Sequence, residues 1–234
     1  MQAIKPLSGV TNLDITAANF PALKFALRPE SVLSATQCRD VIGGVILNKA
    51  SGFVNNGNGT FTGGTGAVAS VTGATLPSPL ATGKNPMLCV VGTMADGSTF
   101  SLGSGGLGYA ISTGATPAIT RTAGNFHVCP NLTMTGISSG AIGVALDCAN
   151  NTGAVHAYSG STYETAATTA VLGTLAGTWD AIGQGSGMLD AGPYYGIYLF
   201  LFTLVPSADE LKRAIAWMAD NPTLGPYPGW YLKD

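Results

Sequence analysis

The stretch YYGIYLFLFTLVPSADELKRAIAWMADNP, residues 194–222, sets an apolar run directly against an amphipathic one. The apolar part, 194–205, is too short to span a bilayer as a helix, which takes about 20 residues. As a strand it alternates, with Tyr195, Ile197, Leu199 and Leu201 on one face and Tyr198, Phe200, Phe202 and Leu204 on the other. Both faces are apolar, so both need covering. An opposing sheet can take one of them. The next element must take the other.

That element reads as a helix over 207–220. Ser207 and Glu210 have capping-box spacing, in which each side chain bonds the other's backbone N–H. Asp209 and Glu210 sit at the positive end of the helix dipole. Leu211, Ala214, Ile215 and Met218 follow the i, i+3, i+4, i+7 spacing, and Asn221-Pro222 ends the run. With only Pro206 between strand and cap, the helix must fold back as a lid, and its charges keep the outer face wet.

Upstream, from about residue 20, short β-type runs alternate with Gly, Asn, Ser and Pro breakers. VIGGVILN (41–48), PMLCVVGTM (86–94), AIGVALDC (141–148) and GAVHAYSG (153–160) are typical. GFVNNGNGTFT (52–62) and CANNTGAV (148–155) carry Asn-rich, Gly-containing steps that mark hairpins. No β-run is followed by a long helical pattern, which argues against a parallel βαβ sheet. The expected fold class is therefore all-β, a two-sheet antiparallel jelly-roll sandwich with one C-terminal helix packed on it. The expected organisation is a single domain over 1–234, with an N-terminal arm at 1–20 and an aromatic tail at 223–234.

Composition narrows the partners. Charged residues are 9% of the 234, the net charge is −2, and 33 residues are glycine. Such a chain has no field for nucleic acid or an anionic membrane. The residues from 50 to 83 carry no charge at all. MQAIKPLSGV, at the start, lacks the basic-then-apolar pattern of a signal peptide, so synthesis in the cytoplasm is expected. Cys38, Cys89, Cys129 and Cys148 form no C-x-x-C pair, which argues against zinc and for buried free thiols. A Cys129–Cys148 bridge between neighbouring strands is the alternative.

Two enzyme-like patterns occur. Gly103, Gly105 and Gly108 spell G-x-G-x-x-G, but no helix follows as dinucleotide binding requires. Gly136 to Gly140 spells the nucleophile elbow around Ser138, with Asp147 and His156 following in order; a strand-like run stands where the elbow needs a helix. His127 and His156 each stand alone on a strand pattern, and the three Glu offer no paired carboxylates for glycoside hydrolysis. No catalytic residues are expected, and no enzyme. Asp96, Asp147, Asn150 and Asn151 are turn oxygens that a calcium site would use, although turn chemistry accounts for them equally. Calcium is the one cofactor left open.

From about residue 84 to 222 the chain resembles the laminin G-like, concanavalin A-like jelly-roll family. AVHAYSGSTYE supplies the closing strand, Tyr158 and turn Gly160, with Ser159 where the family usually has aspartate. WDAIGQG supplies an Ile182-Gly183 strand, and LVPSADELKRAIAWM is similar to the family's last strand and helix. Stand-alone Gly- and Ala-rich chains of this kind look like phage or prophage virion proteins. The resemblance implies a non-enzymatic virion structural protein (a capsid decoration, fibre or tail adhesin). Its partners would be other virion subunits in a homo-oligomer, together with a cell-surface glycan. The alternatives are a free carbohydrate-binding lectin-like module and a serine hydrolase. Candidate contacts are Asn55, Asn56 and Asn58 in the polar loop 49–66, beside a second polar loop at 73–85, and Tyr227 and Trp230 in the tail.

Overall fold

The computed structural model describes residues 14–63, 70–72, 76–77, 87–95, 99–104, 107–112, 118–122, 139–147, 152–159, 162–168, 178–179, 193–204 and 206–231. In chain order the strands are β1 (Leu23–Leu27), β2 (Val32–Ser34), β3 (Gln37–Arg39), β4 (Ile46–Asn48), β5 (Val54–Asn55), β6 (Phe61–Thr62), β7 (Ser70–Thr72) and β8 (Leu76–Pro77). They continue with β9 (Met87–Ala95), β10 (Thr99–Ser104), β11 (Leu107–Ser112), β12 (Ala118–Thr122), β13 (Ser139–Asp147), β14 (Thr152–Ser159), β15 (Thr162–Thr168), β16 (Thr178–Trp179) and β17 (Tyr194–Phe202). Helix α1 (Ala208–Asp220) follows β17.

The protein is mostly β, every strand pair is antiparallel, and one α-helix stands among the described residues. An eight-stranded sheet runs β15-β14-β13-β9-β17-β6-β5, with β1 also on β17. Three smaller sheets of three, two and four strands hold the rest, so the described pairing divides into four sheets where the sequence predicts two. The strands β2 to β8 are only two or three residues each, punctuated by Gly, Pro and Asn, and most of them pair in the two- and four-stranded sheets.

The doubly apolar strand behaves as its sequence demands. β17 is the centre of the large sheet, paired with β9 on one side and β1 on the other, and it is buried from Gly196 to Phe202. Tyr198, Phe200 and Phe202 join Leu211, Ala214, Ile215 and Met218 of α1 in one core, completed by Phe20, Leu23 and Trp230. Leu204 does not join it. The strand ends at Phe202, the chain bends, and Leu204 is 76% exposed, which corrects its expected place on the helix-side face.

The helix start has the expected geometry. The Glu210 N–H donates to Ser207 Oγ at 3.3 Å, and the Ser207 N–H donates to Glu210 Oε2 at 3.2 Å. The register of the sheet explains where the helix lands, across β13, β14 and β9. Gly143 of β13 holds the row that continues from Tyr198, and Ala145 of β13 and Ala154 of β14 hold the row that continues from Phe200. Small residues let a helix axis approach a sheet closely.

Under β1, Asp40 is 1% exposed, and its carboxylate accepts the N–H groups of Ala26, Ile42 and Gly43 at 2.7, 3.0 and 2.6 Å. Beside it Cys38 is a free, fully buried thiol. Burial, with the Asp40 charge adding to it, pushes the thiol pKa up to about 12. Because the thiolate is the reactive form, Cys38 is expected to resist iodoacetamide at pH 8 in the native protein and to label fully in urea, read by peptide mass spectrometry. The other three cysteines, and any Cys129–Cys148 bridge, lie outside the described side chains.

Candidate functional site

The polar loop that carries the candidate asparagines is a tight hairpin. β5 and β6 pair through Val54↔Thr62 and Asn55↔Phe61. The chain reverses through Gly57 and Gly59 at φ 73° and 83°, in the left-handed region that the Asn-Gly steps foretell. Asn55 accepts the Gly57 N–H at 3.0 Å and donates its amide to the Pro29 carbonyl at 3.0 Å. Asn56 donates to the Thr60 hydroxyl at 3.0 Å, and Asn58 Oδ1 accepts from the Thr60 N–H and hydroxyl at 3.2 and 2.6 Å. The three side chains build the turn with one edge and remain exposed on the other. The Asn58 amide NH₂ makes no bond among the described residues.

The tail aromatics have a different fate. Residues 228–230 form a short 3-10 helix that presses Trp230 against Phe200 and Phe202, edge to face, at 4.7 and 5.1 Å between centroids. Trp230 is 1% exposed, so its expected place as a surface contact is corrected: both ring faces belong to the core. Tyr227 is half-buried and meets Trp217 and Trp230 edge-on at 6.5 and 6.1 Å. Tyr231 donates its hydroxyl to Asn19 at 3.0 Å and packs on Phe20, which ties the tail to the end of the N-terminal arm.

A third cluster lies where α1 meets β14 and its Lys212 reaches Tyr163 of β15. His156 is 5% exposed, and its Nδ1 is 2.6 Å from the Tyr163 hydroxyl. Lys212 of α1 holds its Nζ 4.8 Å above the Tyr163 ring. Burial pushes the His156 pKa down and the Tyr163 pKa up. The His–Tyr pair escapes a residue-by-residue reading, yet the sequence holds its signal. A hairpin closed by Ser159↔Thr162 sets His156 opposite Thr165 and Tyr158 opposite Tyr163, which makes His156 and Tyr163 diagonal neighbours on one face.

The buried cations are engaged in holding the fold. Arg28 donates to the Tyr198 hydroxyl and the Thr223 carbonyl, both at 2.7 Å, and pairs with Glu30 at 3.0 Å. Burial works against its charge, but Tyr198 and Glu30 outweigh burial and leave its pKa raised. Lys49, 5% exposed, donates to the Gly63 carbonyl and lies over the Phe53 ring.

The enzyme-like patterns dissolve in the register. Gly103 pairs with Gly108 across the β10–β11 hairpin, with no helix for a dinucleotide phosphate. Ser138 is followed by strand β13, not by the helix an elbow requires. Asp147 faces Thr152, four positions from His156, or about 13 Å at strand rise, so it cannot orient that imidazole. His127, Asp96, Asn150 and Asn151 lie outside the described residues. Among the described residues no three His, Cys, Asp or Glu cluster as metal ligands, and no helix is long and apolar enough to cross a membrane.

No family model matches this chain, and no curated protein does. Solved structures do. The Trypanosoma rangeli sialidase in complex with sialic acid is similar at 11% identity and TM-score 0.51, over 88% of this chain and 34% of that one. The same sialidase, captured as a covalent intermediate with 2,3-difluorosialic acid, is similar at 11% identity and TM-score 0.50, over 88% of this chain and 34% of that one. The Ruminococcus gnavus IT-sialidase CBM40 bound to α2,6-sialyllactose follows at 16% identity and TM-score 0.37, over 65% of this chain and 96% of that one. The chain thus spans about a third of the length of the first sialidase structures it matches. The likeness is one of fold. It also corrects the expectation that enzymes are excluded, because solved structures that share this fold, at TM-scores of 0.50 and 0.51, are of an enzyme, a sialidase.

Proposed function

We propose that the chain is a glycan-binding β-domain of the lectin-like, jelly-roll kind, contacting saccharide through the exposed asparagine hairpin. The observation that carries this reading is the fold likeness over 88% of the chain to one third of a sialidase solved with sialic acid. The hairpin chemistry supports it. Saccharide hydroxyls are bound by planar amides that both donate and accept, and Asn55, Asn56 and Asn58 expose such edges while their turn holds them rigid. The virion and homo-oligomer readings rest on composition and sequence resemblance alone.

The charge distribution of the loop supports a neutral sugar class. Lys49 is the loop's one cation and is buried against Gly63, while Arg28 is committed to Tyr198, Glu30 and Thr223. A carboxylated sugar would find no charged partner in this loop, so the contact is to neutral saccharide. On a glycan array the protein is expected to retain neutral glycans, with less than about twofold change in Kd between low and twice-physiological salt. Asn58→Ala is expected to weaken binding about fivefold, the equivalent of roughly one hydrogen bond. Failure to bind any glycan, or retention of sialylated glycans alone with steep salt dependence, would overturn this reading.

A further inference from the structure

We propose that Asn58 is a self-modifying residue: the Gly59 nitrogen attacks its side chain and, without an enzyme, converts it to aspartate and isoaspartate. Two Asn-Gly steps stand in the same hairpin, Asn56-Gly57 and Asn58-Gly59, and both asparagines are exposed. Glycine suits the reaction in each, because no Cβ shields the attacking nitrogen. Their hydrogen bonds set them apart.

At the first step both reacting groups are engaged. The Gly57 N–H donates to Asn55 Oδ1 at 3.0 Å, so a base must break that bond to reach the proton. The Asn56 amide donates to the Thr60 hydroxyl at 3.0 Å, and the Asn56 backbone N–H donates to the Thr60 carbonyl at 3.0 Å. The leaving nitrogen and the backbone behind it are thereby tied across the turn. At the second step the bonds fall elsewhere. Asn58 Oδ1 accepts the Thr60 N–H at 3.2 Å and the Thr60 hydroxyl at 2.6 Å, which bends the side chain back over the 58–59 peptide. Among the described residues neither the Asn58 NH₂ nor the Gly59 N–H makes a hydrogen bond. The Thr60 hydroxyl accepts from Asn56 while it donates to Asn58, and such a chain strengthens the donated bond.

The steps balance. Base takes the Gly59 amide proton, and the nitrogen adds to Asn58 Cγ. As that C–N bond forms, charge passes to Oδ1, where the two Thr60 donors already point. Collapse breaks the Cγ–Nδ2 bond, the leaving nitrogen takes a proton from water and departs as ammonia, and a succinimide ring remains. Water opens the ring at either carbonyl, giving aspartate or isoaspartate. One water is consumed, one ammonia is released, and nothing is oxidised or reduced. The product places a carboxylate in the stretch 50–83, which otherwise has no charged residue. The fold also retains the reactive neighbour: Gly59 has φ 83°, and a Cβ there would meet Thr223 Cγ2 at 2.9 Å.

Incubating the intact protein at pH 8 and 37 °C, with peptide fragmentation by mass spectrometry locating each gain of about 1 Da, tests this. In the folded protein position 58 is expected to react about tenfold faster than position 56, and the same chain unfolded in guanidinium should lose that difference. Thr60→Val keeps the side-chain shape but removes the hydroxyl donor, and should slow position 58 about tenfold, with Thr60→Ser restoring the rate. Equal rates at the two steps in the folded protein, or faster reaction at 56, would overturn the proposal. So would a Thr60→Val chain that reacts at 58 as fast as wild type. Should that variant fail to fold, the comparison of folded with unfolded wild type decides alone. The measurement is of bond chemistry, so its outcome is separate from whether the hairpin binds saccharide.

Discussion

Replacing Ile215 by Asp is expected to unfold the protein at room temperature, or to leave it folded only with its urea midpoint reduced by most of its value. Ile215 is 0% exposed in the seam between α1 and the large sheet, among Phe200, Phe202, Leu211 and Met218. A carboxylate there would have no cation within the core and would forfeit the packing of a whole aliphatic side chain. Large-to-small core changes alone cost about 2–5 kcal/mol, and an unpaired buried charge adds several more. Typical domains have only about 5–15 kcal/mol in all. Ile215→Leu conserves volume and is expected to cost less than about 1.5 kcal/mol. Urea titration followed by circular dichroism separates the two. An Asp variant as stable as the Leu variant would show that α1 does not depend on this face.

This helix was legible because its signals are local. The Ser207–Glu210 box, the stripe through Met218 and the Asn221 stop are all read within one segment, and the structure has helix from 208 to 220. The hairpin at Gly57 and Gly59 was legible for the same reason, since φ above zero favours Gly. Likewise β17 declared its central place, because a strand apolar on both faces cannot be an edge. What lay beyond reach depends on partners distant in sequence. The division into four sheets depends on which short strands find each other, and β2 to β8 are too short for periodicity to say. The Arg28 link spans 170 residues to Tyr198 and 195 to Thr223. The exclusion of enzymes failed for a related reason: the absence of a local motif says nothing about what a β-domain is joined to or evolved from.

The aromatic tail is the sharpest case, since its composition permits both a sugar platform and a core plug. Trp230→Ala is therefore expected to destabilise by about 3–5 kcal/mol, whether or not any saccharide is present. Its indole plugs the end of the seam between Phe200, Phe202 and α1, and deletion would leave a cavity that backbone from β17 and the 3-10 helix cannot fill. Among the described residues the indole N–H has no hydrogen-bond partner, so packing is what Trp230 contributes there. That distinguishes two substitutions. Trp230→Phe loses ring area but no hydrogen bond, and should recover roughly half of the loss, whereas a ring held by its N–H would not be rescued by Phe. Thermal melts of the three proteins, with and without any glycan that the asparagine hairpin binds, give the comparison. A Trp230→Ala variant that melts like wild type yet loses glycan binding would return this residue to the surface. A variant that melts lower but, below its transition, binds as wild type would keep the tail as the plug that secures helix, arm and central strand together.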